Sequence, residues 1–273
     1  MTLCILRIGG VHRLTVSLFA LLVLTASPFV AAEDDHKFSV SLGVFVNDRE
    51  STTTVGIQGG RSGTEVDLEK DLDMDRSDTV FRLDGYYRFS DTHRIDFSAF
   101  DLSRSSNKSL DFDIDWGGAN YPAGTTVDSS LDLNIYKLAY TWSFVKRDKG
   151  YLGVTGGIYI ADMDLLMAVE NSGELSGGGV TAPLPVIGVR GEYQFSDKWS
   201  LRASGEFFAL EYNDFDGSLT DLYVGVDYQL FDNAAIGAGL NSVQLDLGVD
   251  APSLSGDVDW KYSGGLLFLK FDF

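Results

Sequence analysis

The sequence predicts an all-β protein whose antiparallel strands close into a transmembrane barrel. Three observations support this fold class: apolar and polar residues alternate with period two in many segments, short polar turns alternate with longer connections, and aromatic residues flank most of the short turns. Alternation of this kind is typical of strands with one apolar face. Because lipid offers the backbone no hydrogen-bond partners, a sheet can cross a membrane only by closing on itself.

The N-terminal segment has the pattern of a secretory signal peptide. Arg7 and Arg13 precede the apolar stretch LTVSLFALLVLTA, and SPFVAA follows it. A transmembrane helix needs about 20 apolar residues, so this stretch is too short to span a bilayer. We therefore predict a signal peptide at residues 1–32, cut after Ala32, and a barrel domain at residues 33–273. The single cysteine, Cys4, lies in the predicted signal peptide.

The overall charge is strongly acidic, with 40 Asp and Glu against 21 Lys and Arg and a net charge of −19. Nucleic acid requires a basic surface, so no nucleic-acid partner is expected. Hydrophobic residues make up 44% of the chain and aromatic residues 12%, which is far above the composition of disordered proteins.

Five segments show the alternation most clearly. In the first, Phe38, Val40, Leu42, Val44 and Val46 share one face, while Ser39, Ser41 and Gly43 share the other. The five segments are KFSVSLGVFV (37–46), VFRLDGYYRF (80–89), IGVRGEYQF (187–195), WSLRASGEF (199–207) and LYVGVDYQL (222–230). In a membrane barrel the apolar face of each strand meets lipid and the polar face lines the lumen.

The connections set the strand number. Four short polar turns, SDTH, KRDKG, SDKW and DNA, alternate with longer connections at 48–77, 105–128, 162–180, 213–217 and 248–257. Four short turns with both chain ends on the same side predict about ten strands. The segment 48–77 contains two short alternating arms around GGRSG, which we interpret as extensions of the first hairpin beyond the membrane. An extra membrane hairpin there would give twelve strands, and eight also stays open.

The stretch GGLLFLKFDF provides a closing strand, in which Leu267, Leu269, Phe271 and Phe273 alternate with polar residues. It resembles the assembly signal of Gram-negative outer-membrane β-barrel proteins. Residues 63–97 are also similar to a poorly characterised family in the size class of the small OmpA-like and OmpW-like barrels. The resemblance implies a location in the bacterial outer membrane. It also implies outer-membrane lipid, lipopolysaccharide, the barrel-assembly machinery and periplasmic chaperones as partners.

The predicted lumen carries charges of both signs in nearly equal number. The inward basic residues are Arg82, Arg88, Lys137, Arg190, Arg202 and Lys270, and the inward acidic residues are Asp84, Asp96, Glu192, Glu206, Asp221, Asp227 and Asp272. Buried charges are costly unless they are paired. We therefore expect either a salt-bridged filling of the lumen or a narrow, porin-like pore whose charges select solutes.

The long connections hold most of the remaining acidic residues, and we expect loose binding of divalent cations there. A specific calcium loop is not predicted in DLDMDRSD, because Arg76 and Arg82 occupy the positions that need glycine and glutamate. We expect no cofactor, no metal site and no catalytic residues. His36 and His93, the two histidines outside the signal peptide, both lie next to the predicted periplasmic turns.

The predicted function is therefore a structural or permeability role in the outer membrane, as a narrow pore or as a barrel that presents its loops at the surface. Two alternatives stay open. One is a lipid-modifying enzyme, and the other is a receptor or adhesin acting through acidic extracellular loops.

Overall fold

The computed structural model describes residues 36–56, 63–116, 118–169, 175–212, 215–251 and 254–273. The predicted signal peptide lies outside the described residues. None of the described segments is a helix of the length and hydropathy that a transmembrane helix requires.

Ten long antiparallel strands form the barrel, and four short strands accompany them. The barrel strands are β1 (Phe38–Gly56), β3 (Ser77–Ser90), β4 (His93–Asp101), β8 (Thr126–Arg147), β9 (Gly150–Val169), β10 (Leu175–Ser196), β11 (Trp199–Tyr212), β12 (Phe215–Phe231), β13 (Ala234–Ala251) and β14 (Leu254–Asp272). The short strands are β2 (Glu65–Asp67), β5 (Arg104–Ser109), β6 (Ile114–Trp116) and β7 (Ala119–Tyr121).

The barrel closes where β14 pairs with β1, and each other barrel strand pairs with its neighbours in chain order. Leu42 lies opposite Leu269 in the closing pair, and the Phe38 and Phe273 backbones exchange hydrogen bonds of 3.0 and 2.7 Å. Closure gives every barrel strand a partner on each side, which a lipid environment demands. The predicted closed antiparallel barrel of ten strands is confirmed.

The described residues of the segment 48–77, which are 48–56 and 63–77, add no membrane hairpin. Its first arm continues β1 to Gly56, and its second arm contributes only β2, where Asp67 lies opposite Thr52. The first arm is therefore an extension of the hairpin, as predicted. The second arm extends it only over the three residues of β2.

Three of the predicted long connections were wrong, because most of their described residues belong to strands. Residues 162–169 continue β9 and 175–180 begin β10, residues 215–217 begin β12, and residues 248–251 and 254–257 lie in β13 and β14. These strand extensions carry polar outward residues such as Asp162 and Asp164. Because of these residues, the extensions look like loops in the sequence. Strands that project into water keep their ladder hydrogen bonds without needing an apolar face.

The outward face of the barrel carries an apolar belt. Outward residues of β1 such as Leu42, Val44 and Val46 are exposed, and equivalent residues on the other strands continue the band. Aromatic rings cluster near the short turns, where Trp199 lies 6.4 Å from Phe195 and 4.9 Å from Tyr228 between ring centroids. An apolar belt bordered by aromatic residues is the surface of a transmembrane barrel. We call the end with the short turns the turn end and the opposite end the loop end.

Candidate functional site

The candidate functional site is the lumen, because the alternation of each strand turns every second side chain toward it. Along β1, Ser39, Ser41, Phe45, Asn47 and Arg49 are buried, and the residues between them face outward. From the turn end to the loop end, the lumen changes from charged residues to apolar ones. We call these two parts of the lumen the charged layer and the apolar layer.

The charged layer begins with a series of polar contacts that crosses the lumen. The Arg82 guanidinium lies 3.0 Å from the Asp84 carboxylate and donates a 2.6 Å hydrogen bond to the Asn241 amide oxygen. The Asn241 amide nitrogen donates to Asp221 at 2.7 Å, and the other Asp221 oxygen lies 2.9 Å from the Lys137 ammonium. Arg82 and Asp221, on facing strands, are thus joined through one amide.

Glu206 extends this series to the opposite wall. It forms an ion pair with Lys137 and lies 3.1 Å from the Arg190 guanidinium. Arg190 also lies 3.5 Å from Asp96, which pairs with Arg94 at 3.1 Å. Glu206 is almost fully buried, and its two cationic partners balance a charge that would be costly to bury alone.

Separate pairs complete the charged layer. Arg202 lies 2.6 Å from Asp227, and its guanidinium is 5.0 Å from the centre of the Phe268 ring. Lys270 lies 3.3 Å from Asp272 at the turn end. Oppositely charged partners at these distances form charge-assisted hydrogen bonds, which join the layer into one network.

The two other predicted lumen residues, Arg88 and Glu192, lie at the edge of this network. The Arg88 guanidinium is 5.5 Å from the centre of the Tyr86 ring, and Glu192 lines a cavity in the charged layer. That cavity has a volume of about 80 Å³ and also borders Ser98, Tyr151 and Tyr223. Its polar walls suit a few water molecules, each with several hydrogen-bond partners.

The apolar layer fills the lumen between the charged layer and the loop end. Phe45, Phe100 and Tyr262 pack edge to face, with ring centroids 5.9 to 6.3 Å apart. The Tyr159 and Tyr262 hydroxyls share a 2.9 Å hydrogen bond. The buried members are Phe45, Phe100, Leu102, Leu133, Ile135, Tyr159, Ala161, Leu184, Val186, Leu219, Val243, Leu245, Trp260, Tyr262, Leu266 and Phe268. Side chains packed in this way leave little room for water between them.

Above the loop end, residues 63–76 and 104–125 fold into what we call the outer cap. Thr64 and Asp115 exchange hydrogen bonds of 2.8 and 2.9 Å, which join the two segments of the cap. The cap and the ends of β8 and β9 enclose a second apolar cluster of Val66, Leu68, Leu72, Met74, Leu110, Ile114, Trp116, Tyr121, Val127, Leu131, Leu165 and Met167. The cap is therefore a packed body with its own core.

Two buried arginines lie at the loop end, and Arg104 attaches the cap to the barrel. Arg104 pairs with Glu69 and donates a 2.7 Å hydrogen bond to the Ser51 hydroxyl on β1. Burial lowers the pKa of Arg104, and the neighbouring Glu69 carboxylate opposes that shift. Arg49 lies 3.0 Å from Asp78 and donates a 3.1 Å hydrogen bond to the Leu102 carbonyl.

Sequence reasoning missed several residues that the lumen uses. Arg94 lies on the same face of its strand as Asp96, so the alternation could have identified it. Phe45 follows Ser39, Ser41 and Gly43 on the inward face of β1. A large aromatic side chain at such a position indicates that side chains fill the lumen. Asn241 is uncharged, and no pattern in the sequence indicates that it joins Arg82 to Asp221.

The residues of the predicted assembly signal lie on the outward face of the closing strand. Leu267, Leu269, Phe271 and Phe273 are all exposed there. The Phe273 ring centroid lies 6.2 Å from that of Phe38 on the first strand.

Comparison with known proteins identifies the fold. The chain matches no protein-family model and no curated protein sequence. It is similar in structure to the outer-membrane protease OmpT from Escherichia coli, with a TM-score of 0.55, 10% identity, and coverage of 90% of this chain and 99% of that chain. It also aligns with the transport unit of the Escherichia coli autotransporter AIDA-I, with a TM-score of 0.43, 8% identity, and coverage of 94% and 97%.

A third alignment is with Ail, the attachment invasion locus protein of Yersinia pestis, in complex with the heparin analogue sucrose octasulfate. Its TM-score is 0.38, with 10% identity and coverage of 87% of this chain and 99% of that chain. The similarity to OmpT, together with the closed barrel and its apolar belt, shows a fold of the Gram-negative outer-membrane β-barrel class. This fold supports the predicted location in the bacterial outer membrane.

Proposed function

We propose that this protein is a non-conducting outer-membrane barrel that presents its outer cap at the cell surface as a receptor or adhesion surface. The observation that carries the proposal is the apolar layer, which fills the lumen between the charged layer and the loop end. Water and ions need a continuous polar path, and packed aromatic and aliphatic side chains exclude them. The barrel therefore serves as a membrane anchor for the cap.

The construction of the outer cap also supports a role in presentation. Its apolar residues Leu72, Trp116 and Tyr121 are almost fully buried, and Arg104 holds it to the barrel wall. A packed surface keeps one shape, so a partner that binds it loses less conformational entropy than one that must order a mobile loop.

Single-channel recording in planar bilayers tests the proposal. The full chain should show no steady conductance, whereas the triple variant Phe45→Ala, Phe100→Ala, Tyr262→Ala should conduct because it removes the packed rings. A matched triple variant on the outward face, Leu42→Ala, Phe81→Ala, Leu267→Ala, should stay silent. Heat-modifiable gel mobility would verify that each variant is folded. Steady conductance of the unaltered chain would overturn the proposal in favour of the narrow pore.

We propose that the protein is not an enzyme. OmpT is described as a protease, but a likeness at 10% identity carries the fold alone. His93 lies at the turn end, where its Nδ1 is 2.5 Å from the Tyr140 hydroxyl, and His36 precedes β1. Neither histidine is near the loop end. Altered lipid or cleaved peptide after expression, abolished by one point substitution, would contradict this part of the proposal.

The proposed partners are outer-membrane lipid and lipopolysaccharide around the belt, and the barrel-assembly machinery and periplasmic chaperones during insertion. Loose divalent cations at the acidic loop end are proposed as well. Asp246 and Asp259 lie directly opposite each other there, and a cation would relieve their repulsion. The described residues contain no group of three or more metal-ligating side chains, so such binding would be weak.

A further inference from the structure

One ladder of the barrel stops well below the loop end. β10 pairs with β9 along its length from Leu175 to Tyr193, but it pairs with β11 only from Ile187 to Ser196. β11 itself continues to Tyr212, paired with β12. Above the pair formed by Ile187 and Phe207, β10 and β11 are adjacent strands without a shared ladder. We call this interruption the open split.

Two prolines explain why the ladder stops. The Gln194 amide donates to the Lys149 carbonyl on the β9 side, so even-numbered residues of β10 bond toward β9 and odd-numbered residues toward β11. The ladder with β9 has no register shift, so this rule extends to Pro183 and Pro185. Both prolines therefore lack an N–H on the β11 side, and each still directs its carbonyl there.

The open split begins at the outer border of the apolar belt. Pro185 lies opposite Ile158, an exposed residue of the belt, and Pro183 lies opposite Ile160, two residues before the outward Asp162. The inner side of the split is closed by Leu184 and Val186, which belong to the apolar layer. A ligand in the split would thus come from the lipid side of the wall, at the depth where acyl chains meet headgroups.

A depression in the lipid-facing wall lies directly below the open split. Its volume is about 300 Å³, and Leu152, Val189, Tyr193 and Leu201 form its apolar rim. Gly191, Ala203 and Gly205 lie between these larger side chains and leave the floor uncovered. An acyl chain can lie in such a depression with more contact than it finds on a convex barrel wall.

The polar groups above the depression are acceptors. They are the carbonyls of Pro183 and Pro185, with Asp162 nearby on β9, where it accepts a 2.6 Å hydrogen bond from the Thr181 hydroxyl. The described side chains of residues 181–186 and 207–210 include no lysine or arginine. Arg190 also lines the depression, but its guanidinium is already paired with Asp96 and Glu206 in the lumen. A phosphate group would therefore find no unpaired cation here, whereas hydroxyl and amine groups would find acceptors.

The spacing of the carbonyls selects among donors. Residues two apart in a strand are separated by about 6.6 Å. One ammonium nitrogen that donates to two oxygens at about 2.9 Å spans at most about 5.8 Å between them. A sugar ring carries several hydroxyl groups, and two of them can reach both carbonyls.

We propose that the open split and the depression below it form a binding site for a glycolipid of the outer leaflet. One acyl chain lies between Val189, Tyr193 and Leu201, and hydroxyl groups of the sugar donate to the carbonyls of Pro183 and Pro185. The site is independent of whether the barrel conducts ions, because it lies on the lipid side of the wall.

Native mass spectrometry of the full chain in detergent tests the site. The protein is mixed with equal amounts of galactosyl diacylglycerol, phosphatidylethanolamine and phosphatidylcholine that carry the same acyl chains. Two hydrogen bonds that phosphatidylcholine cannot make should give about tenfold preferential retention of the galactolipid. Equal retention of the galactolipid and phosphatidylethanolamine would overturn the assignment to sugar hydroxyls, and equal retention of all three would overturn the site.

Two variants locate the binding. Pro183→Thr with Pro185→Thr restores both N–H groups, lets the ladder extend, and should abolish the preference for the galactolipid. Ala203→Leu fills the depression and should reduce retention of all three lipids. The control Val224→Leu enlarges an exposed belt residue on β12 and should leave the preference unchanged. Full preference in both site variants, with heat-modifiable mobility retained, would refute the proposal.

Discussion

Two ladders of this barrel stop before the loop end, and the molecule treats the two interruptions differently. β3 and β4 lose their pairing above Arg82 and Phe100, and β10 and β11 lose theirs above Ile187 and Phe207. We call the first interruption the bridged split, because buried side chains cross it. The second is the open split, where the described side chains form no such bridge.

The bridged split is held by arginines. Arg49 contacts Asp78 on β3 and the Leu102 carbonyl just after β4, and Arg104 on β5 donates a 3.3 Å hydrogen bond to the Asp75 carbonyl. A guanidinium offers five N–H donors, so it can replace missing ladder bonds. The difference shows two ways in which a gap between neighbouring strands can be stable. Side chains can supply the missing backbone hydrogen bonds, or prolines can stand at positions whose N–H groups would otherwise be left without an acceptor.

The largest expected effect is at the last residue pair below the bridged split. Phe100 is buried in the apolar layer, 4.8 Å from the Arg82 guanidinium, whereas Phe207, at the equivalent place below the open split, is exposed. Phe100→Ala should lower the free energy of unfolding by about 3–5 kcal/mol, because it leaves a cavity in packed surroundings. Urea unfolding in lipid vesicles, followed by tryptophan fluorescence, measures the change. Phe207→Ala is the matched control, and a cost there as large as that of Phe100→Ala would contradict the comparison.

The next effect concerns the bridge itself. Arg104→Met removes the partner of the Glu69 carboxylate, which is buried, and should cost about 3 kcal/mol in the same unfolding assay. Adding Glu69→Gln should restore part of the loss, since an uncompensated buried charge causes most of it. A double variant no more stable than Arg104→Met would show that the ion pair is not what holds the split.

The sequence predicted the closed barrel and its ten strands because alternation and turn chemistry are local signals. It also predicted the inward positions of Arg82, Arg190 and Glu206, since each follows from the parity of one strand. It could not predict which charges meet: Lys137 and Asp221 are 84 residues apart in the chain. Their contact depends on how the barrel closes.

The sequence patterns also did not predict the strand extensions or the two splits. Pro183 and Pro185 are visible in APLPV, but a proline pair is as typical of a connection as of a strand edge. Only the pairing of β10 with β9 shows that these prolines lie inside a strand. Likewise, nothing local to Arg104 indicates that its partner is Glu69, on another segment of the outer cap.

A smaller effect is expected when the open split is closed. Pro183→Thr with Pro185→Thr supplies two N–H donors toward β11, each worth about 0.5–1.5 kcal/mol if the ladder extends. The loss of proline also increases the entropy of the unfolded chain, which opposes this gain by about 0.4–1 kcal/mol at each site. The midpoints of these ranges leave a net stabilisation of about 0.6 kcal/mol, and hydrogen exchange at the two new amides should be slow. Fast exchange there would show that β11 does not approach β10 even when donors are available.

The smallest effect lies beyond both splits, at the loop end, where Asp259 faces Asp246 across β13 and β14. A side-chain hydrogen bond with Asp246 raises the pKa of Asp259 above its ordinary 3.8, and burial and the neighbouring charge add to the shift. Because the folded state favours the protonated form, this pair stabilises the fold at low pH and loses that contribution as pH rises through the raised pKa. Asp259→Asn keeps a hydrogen-bond donor without the charge, so it should stabilise the protein at pH 7 by less than about 0.5 kcal/mol and flatten the pH dependence of unfolding. Asp257→Asn, which faces Gly248, is the control; its charge raises the pKa of Asp259 less than the Asp246 hydrogen bond does, so it should change that dependence less. The test compares the urea midpoints of unfolding at pH 4 and pH 7. If the midpoint of the Asp259→Asn variant changed with pH as much as that of the unaltered chain, the two carboxylates would not interact.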